Sequence, residues 1–161
     1  MTRCAKILDR DALLAALAPR RQAGKSVALT NGLFDLLHVG HLRYLEGAAA
    51  EADLLVVAIN SDRSARQLKG PSRPVIPEDE RAELVAGFAC VDYVTVFDEL
   101  DARVLLRAVR PDVHCKGSDY TADTVPEADL AEELGWRVTI VGDAKRHATS
   151  SLIERIKKPR D

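Results

Sequence analysis

The chain has 161 residues, with 23 Lys+Arg against 25 Asp+Glu, 47% apolar residues, and only three Phe, three Tyr and one Trp. That length suits one domain, 1–161, whose core needs no disulfide staples. The net charge of −2 argues against a general nucleic-acid coater and the few aromatics against a base-stacking platform, while the longest apolar stretches, Ala12–Ala18 and Leu54–Ile59, fall far short of the ~20 residues of a membrane span. The expected partners therefore include neither nucleic acid nor membrane. MTRCAKILDRDALL has no long apolar run followed by a small-residue cleavage site, so no signal peptide is expected. Cys4, Cys90 and Cys115 are few, odd in number and widely spaced, which fits a reducing compartment. The expectation is a soluble cytoplasmic domain.

In chain order, Asp9 caps an opening helix that runs to about Gln22, with Gly24 as its stop. Ser26–Thr30 reads as a short strand. His38–Glu51 carries small or apolar residues at Leu42, Leu45, Ala49 and Ala52, a one-sided helical stripe. Leu54–Asn60 is apolar enough for a strand buried on both faces. Lys69–Pro77, with three prolines and a glycine, is a loop inside the domain, and Glu78–Phe88 is a helix with Pro77 suited to its first turn. Tyr93–Phe97, Val113–Lys116 and Arg137–Val141 are further strands. Leu100–Val109, Glu127–Leu134 and Thr149–Ile156 are the remaining helices. This alternation predicts right-handed crossovers and an open α/β fold: a Rossmann-like, doubly wound, parallel five-stranded sheet with helices on both faces. Ligands of such sheets bind where strand C-termini meet helix N-termini, at the switch in strand order.

Thr30–His41, TNGLFDLLHVGH, leaves the first strand, turns through Asn31–Gly32 and brings two histidines to the start of a helix. At a spacing of three on a helix, the imidazoles of His38 and His41 share one face with Leu42 and Leu45. Gly40 leaves room for a ligand to approach the backbone. The helix N-terminus supplies N–H groups suited to phosphate. A histidine pair at this spacing is more often incidental, and zinc lacks a third His or Cys nearby. Two of the chain's four histidines nevertheless fall within four residues, where an α/β sheet binds ligands.

TNGLFDLLHVGHLRYLE resembles the signature of the cytidylyltransferase-like nucleotidyltransferases, whose HxGH motif binds the triphosphate. VVAINSD, LKGPSRPVIPEDER, VDYV, RPDVHCKGSDY and TSSLIERI follow in the order of that family, so the resemblance runs from Ser26 to Ile156. Within it, the RPV-P-ER loop, the KGxDY segment and the hydroxyl triplet look most like the heptose 1-phosphate adenylyltransferases, in a version without a fused kinase. The resemblance implies transfer of AMP from ATP to a sugar 1-phosphate, D-glycero-β-D-manno-heptose 1-phosphate, with loss of pyrophosphate. It also implies Mg²⁺ carried with ATP (or CTP) and held mainly by phosphates, a separate sugar kinase in the pathway, and a homodimer as an assembly common in the family. A CTP-using enzyme such as a glycerol-3-phosphate cytidylyltransferase shares the same motif. An idle nucleotide-binding module is the reading from another class.

On that resemblance His38 and His41 are the catalytic pair. Thr30, Asn31, Gly32, Phe34, Gly40, Gly117, Asp119 and Arg146 join them in holding the nucleotide, Asp119 through the ribose hydroxyls. Thr149, Ser150 and Ser151 form a pyrophosphate cradle or, equally, a plain helix cap. Arg146 and His147 stand where the family has Glu-Gly, and Ser118 where it has a second glycine. Asn60, Lys69, Arg73 and Arg81 are the candidates for the acceptor, with solvated charge as the competing role for Lys69 and Arg73 and an ion pair with Glu78 or Asp79 for Arg81. Asp35 is expected to orient the turn without touching ligand. Lys69, Arg73, Arg81, Lys145 and Arg146 are expected to converge on one cleft, with the acidic residues on outer helix surfaces.

Overall fold

Alternate residues of the two central strands are apolar on both sides, which forces a layer of helices onto each face of the sheet. A computed structural model of the protein describes residues 3–121, 124–143, 153 and 156. Among these, strands β1 (Val27–Gly32), β2 (Leu54–Asn60), β3 (Tyr93–Phe97), β4 (Val113–Gly117) and β5 (Arg137–Val141) form one sheet in the order β3-β2-β1-β4-β5. All of its pairings are parallel. Helix α1 (Arg10–Gln22) precedes β1, and helices α2 (Val39–Ala49), α3 (Asp62–Lys69), α4 (Glu78–Ala86), α5 (Arg103–Val109) and α6 (Ala128–Leu134) connect the strands. This is the Rossmann-like, doubly wound arrangement.

Val27, Leu29, Val56 and Ala58 pack with Leu13 and Leu17 of α1, Leu105 and Leu106 of α5 and Leu130 of α6. Ala28, Leu55, Val57 and Ile59 point the other way, against Leu45 and Ala48 of α2 and Ala82 and Val85 of α4. The chain crosses from one side of β1 to the other between β3 and β4, so the crevice lies at the C-terminal ends of β1 and β4. No helix among the described residues is long and apolar enough to cross a membrane.

Four local expectations change. Asp9 does cap α1, accepting from the Ala12 N–H at 2.8 Å. β1, however, runs on through Asn31 and Gly32 to pair with Ala58 and Ile59, and the chain turns later, where Phe34 takes a left-handed φ of 48°. His38 is the N-cap of α2 in extended backbone (φ −145°) and lies outside the helical face that carries Leu45. Helix α3 was not expected, because its inward side presents Ser64 and Ala65 and no apolar stripe. Ser61 starts it by accepting from the Ser64 N–H. Pro77 precedes α4 as its N-cap instead of opening its first turn. Of the expected helix Thr149–Ile156, only Ile153 and Ile156 are described, both helical.

Candidate active site

The site begins with how α2 starts. Its first N–H groups lack partners within the helix, and histidines supply them. His38 Nδ1 accepts from the Gly40 N–H at 3.1 Å, and His41 Nδ1 accepts from the His38 N–H at 3.2 Å, a reciprocal capping box. The two rings stand 4.0 Å apart, centroid to centroid. A nitrogen that accepts from a backbone N–H carries no proton, so each neutral ring keeps its proton on Nε2. The cap therefore fixes both tautomers and makes Nε2–H the donor of each ring. Burial, then the neighbouring His38, lowers His41 to about 4, so it is neutral at pH 7. Phe34 packs beside it, with ring centroids 5.7 Å apart. Gly32 makes room for Phe34, since a Cβ there would sit 3.2 Å from the Phe34 ring.

Both histidines line a cleft of about 680 Å³ at the sheet's C-terminal edge, a size that suits a nucleotide-scale ligand. Asp35 organises one wall. Its buried carboxylate accepts from the Val75 and Ile76 N–H groups at 2.9 Å and from Arg73 Nε at 2.7 Å. It thus holds the proline-rich loop against the turn after β1, as expected of a residue that orients backbone, and it also pairs with the Arg73 guanidinium. Lys69, Asn60 and Arg73 line this wall. Asn60 is anchored by Ser64, its Nδ2 donating to Oγ at 3.2 Å.

The floor comes from β1 and β4. Asn31 Oδ1 accepts from Lys116 Nζ and pairs with His114 Nε2, each at 3.0 Å. Lys116 lies 3.1 Å from Glu127 Oε2, with both side chains almost wholly covered. Burial pulls the Lys116 ammonium down and Glu127 opposes that shift. Burial, then Lys116, takes His114 down to about 3. Beyond the floor, Gly117, Ser118 and Asp119 line the rim, and Ser118 Oγ donates to the Asp143 carbonyl at 2.7 Å.

The model of the Cytidylyltransferase-like family matches residues 29–157. The chain belongs to the cytidylyltransferase-like family. Among its relatives, the "Bifunctional protein HldE" of Syntrophotalea carbinolica is 50% identical over 151 residues, covering 94% of this chain and 31% of that protein. That of Geobacter sulfurreducens is 46% identical over 154 residues, covering 96% and 31%. The chain thus spans about a third of the length of these curated relatives. A solved structure described as the lipopolysaccharide core biosynthesis protein from Thermoplasma volcanium GSS1 is similar with a TM-score of 0.65 and 26% identity, over 76% of this chain and 100% of that one.

In this cytidylyltransferase-like chain the cleft brings together Asn31, Gly32, Phe34, His38, Gly40 and His41 with Asn60, Lys69, Arg73, Gly117 and Asp119. Two expected residues lie elsewhere. Thr30 is fully buried, its hydroxyl against that of Tyr44, which donates in turn to the Cys115 carbonyl. Its position in β1 sends the side chain into the α2 layer, and it is not among the residues that line the cleft. Arg81 is fully buried too, and its guanidinium donates to the carbonyls of Leu33, Asn60 and Ile76 and to Asp62, not to Glu78 or Asp79. Nor are the acidic residues confined to outer helices: Asp35, Asp101, Asp119, Glu127 and Asp143 all line the cleft. Arg146, Thr149, Ser150 and Ser151, with Lys145 and His147, lie outside the described residues.

Sequence reading missed the Lys116–Glu127 pair. Lys116 sits two residues beyond His114, and a lysine inside the strand Val113–Lys116 was the available signal. Glu127 gave none, because a carboxylate at a helix start is ordinary. Among the described residues no group of three His, Cys, Asp or Glu side chains is placed to hold a metal ion. The carboxylates Asp35, Glu127 and Asp143 are already paired with Arg73, Lys116 and Arg43. This donor set does not build a resident oxygen cage for Mg²⁺. Cys115 is buried, its thiol pushed up to about 12 by burial, and Cys90 is half-buried.

Proposed function

We propose that the chain, as one nucleotidyltransferase domain over 1–161, is an adenylyltransferase that moves AMP from ATP to D-glycero-β-D-manno-heptose 1-phosphate, giving ADP-heptose and pyrophosphate. The observation that carries this reading is the pair of tautomer-fixed imidazoles at the start of α2, facing the crevice where the strand order switches. The relatives named bifunctional HldE and the neighbour described as a lipopolysaccharide core biosynthesis protein support the sugar-nucleotide assignment.

A phosphate oxygen of the acceptor attacks the α-phosphorus of ATP, the bond to the bridging oxygen breaks, and pyrophosphate leaves with that electron pair. The nucleophile is already an anion near neutral pH, so no strong base is needed. Alignment and stabilisation of charge on the α-phosphate and leaving group do the catalysis. His38 and His41 supply Nε2–H donors for that charge. A neutral imidazole donates without the large desolvation cost of a buried cation. Mg²⁺ enters as part of the nucleotide substrate, held by phosphates and water.

Lys69 and Arg73 grip the acceptor phosphate, Arg73 while still braced by Asp35. Asp119 accepts from the ribose, and Arg146, Thr149, Ser150 and Ser151 cradle the pyrophosphate end. A sugar kinase supplies the heptose 1-phosphate, the reaction takes place in the cytoplasm, and the enzyme works as a homodimer. Pyrophosphate release from ATP and CTP, each with heptose 1-phosphate and glycerol 3-phosphate, tests the reading. The expected signal is strongest with ATP and the sugar 1-phosphate. Turnover confined to CTP with glycerol 3-phosphate would replace it with a cytidylyltransferase, and nucleotide binding without pyrophosphate from any acceptor would leave an idle module.

A further inference from the structure

No step of the transfer uses the buried pair on the cleft floor. Lys116 and Glu127 come from different elements, the end of β4 and the residue before α6, and meet at 3.1 Å. Both line the cleft. Lys116 donates to Asn31 Oδ1 at 3.0 Å, which leaves this three-donor group capacity beyond its two neighbours. Glu127 Oε2 is buried, and although it sits within ion-pair distance it makes no hydrogen bond of good geometry. Among the described residues that oxygen faces the ammonium alone, so it keeps room to accept from a further donor.

The charge of the pair decides what it fits. A phosphate is recognised by net positive charge and N–H donors, and Lys116 is already neutralised by Glu127. What remains is a strong donor beside a strong acceptor with no net charge, which matches a hydroxyl group, itself both donor and acceptor. The surroundings agree with a sugar. The Tyr120 ring lies 5.3 Å from Lys116 Nζ, and Tyr120, Leu100 and Pro126 are among the residues that line the cleft, apolar surface of a kind suited to the C–H faces of a pyranose.

We infer that Lys116 and Glu127, with Asn31, form a hydroxyl-reading subsite that binds the sugar ring of a polyhydroxylated acceptor and so sets acceptor specificity. This rests on the proposed transfer to a sugar 1-phosphate. The pair touches the sugar and not the reacting phosphorus, so its loss moves acceptor recognition and leaves nucleotide binding in place.

The test is steady-state kinetics of the full chain and of Glu127→Gln, Lys116→Met and the double variant Lys116→Met/Glu127→Leu, varying ATP and heptose 1-phosphate separately. The double variant removes both charges together and leaves no unpaired ion in the floor, so it keeps the experiment readable should a single variant fail to fold. KM for the sugar phosphate is expected to rise about 10- to 100-fold, the range for losing a hydrogen bond to a charged group, with KM for ATP within about twofold. The preference for heptose 1-phosphate over glycerol 3-phosphate is expected to fall by a similar factor. An unchanged acceptor KM and preference in the folded double variant would overturn the subsite, as would a rise confined to the ATP KM. A parent enzyme inactive on every sugar 1-phosphate would instead overturn the functional reading, and the subsite with it.

Discussion

Replacing Arg81 separates two roles that the sequence leaves open, and the structure gives the size of the effect. The guanidinium is fully buried and makes four hydrogen bonds: from Nε to the Ile76 carbonyl at 2.9 Å, from Nη1 to the Leu33 carbonyl at 2.5 Å, and from Nη2 to the Asn60 carbonyl and to Asp62 Oδ1, each at 2.8 Å. It ties together the turn after β1, the end of β2, the start of α3 and the proline-rich loop. Arg81→Ala leaves three carbonyls and a partly covered carboxylate without this partner and opens a cavity among them. Losing one member of a buried charge pair costs about 3–5 kcal/mol, a large part of the ~5–15 kcal/mol that holds a domain together. For a chain of this size the midpoint of thermal unfolding should drop by roughly 6–20 °C. Far-UV circular dichroism during heating, with a urea titration at 25 °C, reads this directly. Arg81→Lys should recover less than half, because one ammonium cannot reach four acceptors spread around a planar fork. A variant that melts within about 2 °C of the parent while losing only acceptor affinity would refute the reasoning and return Arg81 to the phosphate.

The other perturbations follow from the same contacts. His41→Ala and His38→Ala should each lower kcat by about 10²–10³ while the protein stays folded, and near-parental turnover in stopped pyrophosphate assays would remove them from the chemistry. Asp35→Asn keeps the side chain's shape but removes the charge facing Arg73, so acceptor KM should rise and thermal stability fall by about 1–3 kcal/mol, with ATP binding by calorimetry unchanged. Acid should destabilise the fold earlier than carboxylate titration alone would. His41 and His114 sit at about 4 and about 3 in the folded chain, below the ~6.5 of an unfolded histidine, so the unfolded state takes up protons first as pH falls. Their contribution is present above pH ~6.5 and is lost as pH drops through the folded values. Urea midpoints should therefore decline from pH 7 to pH 4.5, and a midpoint constant over that range would contradict the burial of both rings.

The chain alone went far with the scaffold, because parallel strands buried on both faces leave continuous apolar runs that local reading detects. Leu54–Asn60 is legible at its observed bounds for that reason, whereas the edge strands Tyr93–Phe97 and Arg137–Val141 are legible from β-branched residues and the turn residues that bound them. The histidine pair was also legible, since its residue types and its place after the first strand imply a phosphate-facing helix start. What sequence spacing misassigned was the geometry. His38 and His41 come together through a backbone cap and not along a helical face, and the same cap fixes which nitrogen carries each proton. Helix α3 escaped notice because its buried side is Ser64 and Ala65, whose fit depends on Asn60 and on the strand beneath.

The fates of the charged residues were decided only by tertiary structure. Arg73 and Arg81 look alike in the sequence, eight positions apart in one loop-and-helix segment. Folding puts one at the wall of the cleft beside Asp35 and the other under four acceptors in the interior. Lys116 and Glu127 are eleven positions apart, and nothing local links them until β4 and the start of α6 meet at the switch in strand order. The sequence determined the sheet, its two helical layers and the histidine-bearing helix start at the cleft, because those depend on periodicity and local backbone preference. Which charges reach the cleft depends on pairings between residues distant in the chain, and only the packed fold brings those partners within range.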